Sequence, residues 1–431
     1  MNTTVSPLAE LEQLVQVRAT ALSLDVDTAV GAEHLRDLIE AAINEWSDEH
    51  HRGQREISLS DPEGVANRAF QNLAQYGPLT DLLEDDDVWE IMVNSPDLIF
   101  VRRHSTGSSF HDEVFHDDDH VARTLTKLLD DSSSSHRKLD PTEGLQDAQL
   151  DNGARIHIVH GDLARGGHLM LNIRKFTGVA ITRLDELVNR GSISPQAAQF
   201  LSAAVRSRLS IIFAGAPGAG KTTLLSCCAA ELDPSQRVVV AEEVFEADVP
   251  LANVASMQTR PPRADRPEID LRRLVAGFLR MAPDVAIVGE VRDREALPLL
   301  LTLSSGVTGY TTIHAGSART ALTRLRFVAQ LSDAASDLPV AALNNLVSEA
   351  VDLVVHTERG PNGPQVTEIL AVEDHTAGPE AVQFTTTELF KRQGDSGKLR
   401  PTGLLPLRAT QELARHGFDA RMLCAVEEEQ R

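Results

Sequence analysis

The chain is poor in cysteine, lysine, aromatic side chains and long apolar runs, and each shortage removes a class of protein. Its three cysteines, Cys227, Cys228 and Cys424, are too few for a disulfide framework. The adjacent pair reads as small core residues in a reducing compartment. No apolar stretch reaches the roughly 18–20 residues of a membrane-spanning helix. The opening MNTTVSPLAELEQL has neither the basic start nor the apolar block of a secretory leader, so a cytoplasmic location is expected. Aromatic residues make up only 4%, which leaves aliphatic side chains to fill the core. Six of the 41 basic residues are lysine, a bias of composition rather than of chemistry. Against 63 acidic residues they leave a net charge of -22. Such a chain gains little from DNA phosphates, whose binding is driven by cations that displace counterions.

What is present is enough for two or three domains: 431 residues with 42% hydrophobic content. Residues 1–75 read as a helical segment, with Leu35, Leu38, Ile39, Ala42, Ile43 and Trp46 recurring at helical spacing. Residues 76–176 have the texture of a small α+β domain. Strand-like EIMVN, LIFVRR and ARIHIVH are separated there by the turn signals NSPD, DDSSSS and DNGA. Its His157, His160 and His168 lack metal-ligand spacing and read as structural. A polar connection at 177–194 is expected to be a linker. Over 195–431 the strand candidates LSIIFA, RVVVAE, VAIVGE, GYTTIH and DLVVHT alternate with helical stretches, the pattern of a parallel sheet covered by helices. After Val355, ERGPNGP reads as a hairpin turn before QVTEILAVE, an antiparallel addition to that sheet.

The run Gly215, Ala216, Pro217, Gly218, Ala219, Gly220, Lys221, Thr222 fills every fixed position of a phosphate-binding loop. An apolar strand candidate precedes it and TTLLSCCAAEL, a good helix, follows. The glycines let the backbone turn its N–H groups onto a phosphate, and the helix N-terminus adds partial positive charge. Lys221 is expected on the β- and γ-phosphates and the Thr222 hydroxyl on Mg²⁺, with Thr223 completing the nucleotide contacts. No N-K-x-D follows, which favours ATP over GTP.

Three downstream stretches add chemistry. DVAIVGEVRD places Glu290 at the end of an apolar strand, where it is expected to organise the magnesium shell or orient the attacking water. RVVVAEEVFEADV ends another strand in Glu242 and Glu243, with Glu246 a turn later. Paired carboxylates there call for a metal or cation. Glu242 is therefore a second candidate for Mg²⁺ and for catalysis. GYTTIHAGS ends a third strand in His314.

Phosphate loop, acidic strand end, Gly-Glu strand end and His strand end, in that order, resemble the type II/IV secretion system ATPase family, and within it the CpaF-like ATPases of Tad/Flp pilus assembly. YGPLTDLLEDDDVWEIMVNSPDLIFV and LNIRKF look like that family's N-terminal domain, and MAPDVAIVGEVRD like its Walker B strand. The resemblance implies an α/β fold: a RecA-like P-loop NTPase domain, preceded by the α+β domain and the helical segment. It implies a homohexamer that hydrolyses ATP with Mg²⁺ and works on an inner-membrane platform protein; the net charge of -22 and the lack of a basic, aromatic-interleaved groove argue against direct contact to nucleic acid. The chain would then sit at the inner face of the cytoplasmic membrane. Cations must meet the charge on the transferred phosphate, and Arg155, Arg174 and Arg280 are the candidates, with Arg260 behind them. Glu243 stands where the family's acidic box has Asp, Ala282 where the pilus branch often has Arg, Gly316 where Asn is usual, and Gln149 where Arg is. Two rival readings stay open: a nucleic-acid motor of RecA type, and an assembly scaffold that hydrolyses ATP weakly.

Overall fold

The structure, a computed structural model, describes residues 6–103, 106–132, 138–175, 181–260, 267–332, 334–335, 338–360, 363–374, 383–394 and 397–424. It divides into two compact units, Met1–Thr177 and Gly178–Arg431.

The first unit opens with α1 (Pro7–Ala21), α2 (Ala29–His51) and α3 (Pro62–Ala74). Ser6, Thr28 and Asp61 cap them by accepting from a backbone N–H three residues on. Leu11, Val15, Leu35, Ile39, Ala42 and Ala69 close a small core between the three. After the short α4 (Thr80–Glu84) come β1 (Val88–Ser95), β2 (Leu98–Arg103), β3 (Gly107–Phe110), β4 (Leu145–Gln149), β5 (Arg155–Val159) and β6 (Met170–Arg174). They form one antiparallel sheet in the order β3-β2-β1-β6-β5-β4. Alternate side chains of that sheet, among them Ile91, Val93, Ile156 and Ile158, share a core with Val121, Leu125 and Leu129 of α5 (Asp118–Asp130). Helices and sheet are tied by Glu12, whose carboxylate accepts from Asn72 at 2.7 Å and pairs with His116 at 2.9 Å.

Of the connection expected at 177–194, residues 176–180 lie outside the described ones. The remainder is not a free linker. It contains α6 (Leu184–Asn189), whose Leu184 and Leu187, with Ile193 beyond it, are buried in the core of the second unit.

The second unit holds a nine-stranded sheet. Its strands are β7 (Ile211–Gly215), β8 (Val238–Glu242), β9 (Val254–Gln258), β10 (Val285–Val288), β11 (Thr308–Ile313), β12 (Leu353–Gly360), β13 (Gly363–Val372), β14 (Thr386–Arg392) and β15 (Leu399–Pro401). The order is β15-β14-β13-β12-β7-β11-β10-β8-β9. From β9 to β12 every pairing is parallel, and β13, β14 and β15 are added antiparallel. Strands β7, β8, β10 and β11 are buried at every position, which is why they read as apolar runs rather than alternating ones. Phe213, Val240 and Ile287 face one core, which they share with α7 (Pro195–Arg206) and α8 (Lys221–Ala229). Ala214, Val239 and Val288 face the other. That core also takes in α9 (Leu271–Val275), α10 (Ala296–Ser304), α11 (Ala318–Gln330) and α12 (Val340–Ala350). Among the described residues no helix is long and apolar enough to cross a membrane.

Candidate nucleotide site

Strand order builds the site. In β7-β11-β10-β8 all four strands run the same way, so their carboxyl ends lie side by side at the spacing of sheet neighbours, about 5 Å. Ligands in open parallel sheets bind beyond those ends. The four ends carry, in that order, the glycine-rich loop, His314, Glu290 and Glu242. Residues scattered over a hundred positions become a row because the chain skips strands and returns to fill the gaps.

The loop leaves β7 at Gly215 and enters α8 at Lys221. Gly220 is the residue before the helix, at a φ of 82° in the left-handed region that favours glycine. Ala216 and Pro217 are exposed, Gly218 is half-buried and Ala219 is packed inside. Lys221 is buried along its stem, with Nζ donating to Ala216 O at 3.0 Å and lying 3.2 Å from His314 Nδ1. On the other side of the ring, His314 Nε2 is 2.7 Å from Glu290 Oε1. That oxygen is buried, and the contact is a close polar one rather than an aligned hydrogen bond. The network assigns the tautomer: the Nε2 proton faces the carboxylate and the Nδ1 lone pair accepts from the lysine ammonium. Gly215 O also lies 3.2 Å from Nδ1.

Glu290 has a second partner that sequence reasoning missed. Arg292 Nη2 donates to its Oε2 at 2.7 Å, while Nη1 of the same guanidinium donates to Glu243 at 2.8 Å. Burial opposes the charge of Glu290, but the contacts from His314 and Arg292 outweigh it and hold the carboxyl down to about 2. Its backbone is pinned on both sides by buried Thr312: Oγ1 donates to Gly289 O at 2.8 Å, and Val291 N donates to Thr312 O at 2.9 Å. Gly289 is needed for space rather than for φ. A Cβ there would come 2.8 Å from Cγ of Glu242.

Glu242 is 2% exposed, and its Oε1 accepts from the backbone N–H groups of Glu246 and Ala247 at 3.1 and 2.9 Å. One of its oxygens is thus committed to shaping the loop after β8. Arg280 lies exposed in the turn Phe278–Met281, before the amino end of β10. The glycine-rich loop follows the opposite, carboxyl end of the sheet, so Arg280 does not join the row within this chain. Arg155 and Arg174 belong to the first unit, where they face each other across β5 and β6. Arg260 is bridged through its backbone to Ile269. Cys227 and Cys228 are buried in α8, and burial pushes the Cys227 thiol up to about 12. Neither is a thiolate at neutral pH.

Thr222 and Thr223 are half-buried in the first turn of α8. A Thr222 hydroxyl and a Glu290 carboxylate held ionised are the donor types that Mg²⁺ takes, with waters and phosphate oxygens filling its octahedron. Among the described residues no group of three or more His, Cys, Asp or Glu side chains is placed to hold a metal by itself. The row of loop amides, cation, imidazole and carboxylate is suited to binding a triphosphate and to acting on a water beside it.

The chain matches the family of type II/IV secretion system proteins over residues 72–376. It is 34% identical over 233 residues to a conjugal transfer protein, TrbB, of Rhizobium radiobacter, covering 51% of this chain and 68% of that protein. It is 31% identical over 309 residues to the type IV secretion system protein PtlH of Bordetella pertussis, covering 64% and 87%. The X-ray structure of the Yersinia pseudotuberculosis ATPase DotB superposes with a TM-score of 0.50 at 14% identity, over 69% of this chain and 78% of that one, a likeness of fold. This chain belongs to the type II/IV secretion system protein family, and its second unit is a RecA-like P-loop domain.

Proposed function

We propose that the chain is an ATP hydrolase that converts turnover of Mg-ATP into mechanical work for pilus assembly or protein secretion. The observation that carries this reading is the unbroken row from Lys221 through His314 to Glu290, which joins a phosphate-binding cation to an ionised carboxylate over two side-chain contacts. Lys221, the loop amides and Thr223 hold the triphosphate. Thr222 and Glu290 hold Mg²⁺, directly or through its waters, and the metal offsets charge on the phosphates when bound. Glu290 orients the attacking water, and His314 couples that carboxylate to the lysine. We assign the chain to a homohexamer that docks on an inner-membrane platform protein from the cytoplasmic side. The CpaF-like Tad/Flp branch is the finer assignment, resting on the motifs quoted above.

The test is phosphate release by the purified chain under saturating Mg-ATP, with Lys221→Ala as control. Release by wild type that the variant abolishes supports the reading. Binding without release supports the scaffold instead. Stimulation by single-stranded DNA that falls steeply with salt supports a nucleic-acid motor.

A further inference from the structure

We propose that Arg292 is a latch on Glu290, a positioning residue that must let go before the carboxylate can serve the metal, and that Glu243 is the seat to which it withdraws. The inference rests on the ATPase reading and deepens it.

Glu290 has two carboxylate oxygens, and both are taken. Oε1 is buried against the His314 imidazole, which is itself held at Nδ1 by Lys221. Oε2 is the oxygen left to face a ligand, and Arg292 Nη2 covers it at 2.7 Å. A magnesium-bound water that approaches that oxygen has to compete with the guanidinium for its charge and lone pairs. Of the two partners, His314 is the more constrained. The Arg292 side chain is 45% exposed, on the rim of the site, while the turn that carries it is anchored. Buried Glu295 accepts from the backbone N–H groups of Arg292 and Asp293 at 2.5 and 2.8 Å. The backbone is thus fixed and the guanidinium is free to swing.

It has somewhere to go. Nη1 already donates to Glu243 at 2.8 Å, and the Glu243 side chain is 48% exposed. An arginine fork spans two carboxylates at once, which a lysine ammonium, a single point charge, does not reproduce. Rotation that breaks the Nη2 contact keeps the Nη1 contact, so release costs one ion pair, not two. A ligand that favours the open form by more than that contact contributes shifts the balance.

The experiment compares wild type, Arg292→Gln, Glu243→Gln and the double variant by two readouts: the Mg²⁺ concentration at half-saturation of fluorescent ATP binding, and turnover at saturating Mg-ATP. Arg292→Gln is expected to lower the Mg²⁺ midpoint about two- to fivefold and to raise turnover by a similar factor. Glu243→Gln is expected to move both the other way, because the arginine loses its second seat. The double variant is expected to match Arg292→Gln, because Glu243 acts only through Arg292. Additive effects would mean that the two charges act independently on the metal, and would overturn the latch. An unchanged midpoint in Arg292→Gln, or a loss of turnover as deep as that of Glu290→Gln, also overturns it. A chain that binds Mg-ATP without releasing phosphate overturns the hydrolase reading, and the magnesium midpoint still decides the latch.

Discussion

Lys221 Nζ stands 3.2 Å from His314 Nδ1, and this contact joins the loop after β7 to the end of β11. An anionic phosphate in the loop competes with the imidazole for the ammonium. Lys221→Ala is therefore expected to cost one charge-assisted hydrogen bond to phosphate, about 1.5–3 kcal/mol, or roughly a 10- to 150-fold loss of affinity. Titration with a fluorescent ATP analogue measures it. An affinity within about twofold of wild type would remove Lys221 from the phosphate site.

The loop is seated on the neighbouring parallel strand β12 as well as on its own strand. A Cβ on Gly215 would come 2.3 Å from the backbone oxygen of Thr357 in β12. Backbone cannot swing aside as a flexible side chain does. Gly215→Ala is expected to destabilise the second unit by about 1–3 kcal/mol. At this size a kcal/mol is worth about 2–4 °C, so the thermal midpoint should fall by several degrees. An unchanged midpoint would show that β12 does not brace the loop.

Glu242 separates two roles for the same carboxylate. Its Oε1 holds the backbone N–H groups of Glu246 and Ala247. Glu242→Ala is expected to cost about 1–2 kcal/mol in urea unfolding, since both donors lose their partner. Glu242→Gln keeps an acceptor and should recover most of that stability. If Glu242→Gln keeps stability but loses Mg²⁺-dependent turnover, the charge of Glu242 serves the metal as well.

Stability of the first unit is expected to depend on pH through His116. The hydrogen bond with Glu12 raises the His116 pKa above its usual 6.5, against the cost of burial. A raised folded value means that the pair stabilises fully below the unfolded value of about 6.5 and is lost as pH rises through the folded one. Facing groups act in both directions: Asp117 raises the value and Arg123 lowers it. Stacked His120, whose own pKa burial lowers to about 4, stays neutral in this window. The stability lost in His116→Gln should be larger at pH 5.5 than at pH 9. Equal losses at both would mean that the contact carries no charge.

The sequence made some of this legible. Strands β7, β8, β10 and β11 stand out because both faces are buried, so apolar residues run without alternation. Their ends are then marked by the first glycine, acid or histidine. The edge strand β9 and the short β3 and β6 are half-buried or brief, and left no comparable trace. Arg292 carries no signal of its own in the sequence: Glu290 is two residues away, but Glu243 comes within reach only because β10 and β8 are neighbours, an order that no local pattern reveals. The same holds for Thr357 and Pro364. They wall the glycine loop only because β12 pairs with β7 and turns back into β13. The place of Arg280 is hidden for a related reason: being near a strand in sequence does not say at which end of the sheet a side chain stands.

The row of strand ends can be tested as a catalytic site by comparing wild type with Glu290→Gln for fluorescent ATP binding and for phosphate release under saturating Mg-ATP. The amide keeps the size of the side chain and loses its charge. The expected result is binding within a few-fold of wild type and turnover reduced by about 10² or more. Equal turnover in the two proteins would contradict the placement of Glu290 beside the attacking water, and with it the motor reading.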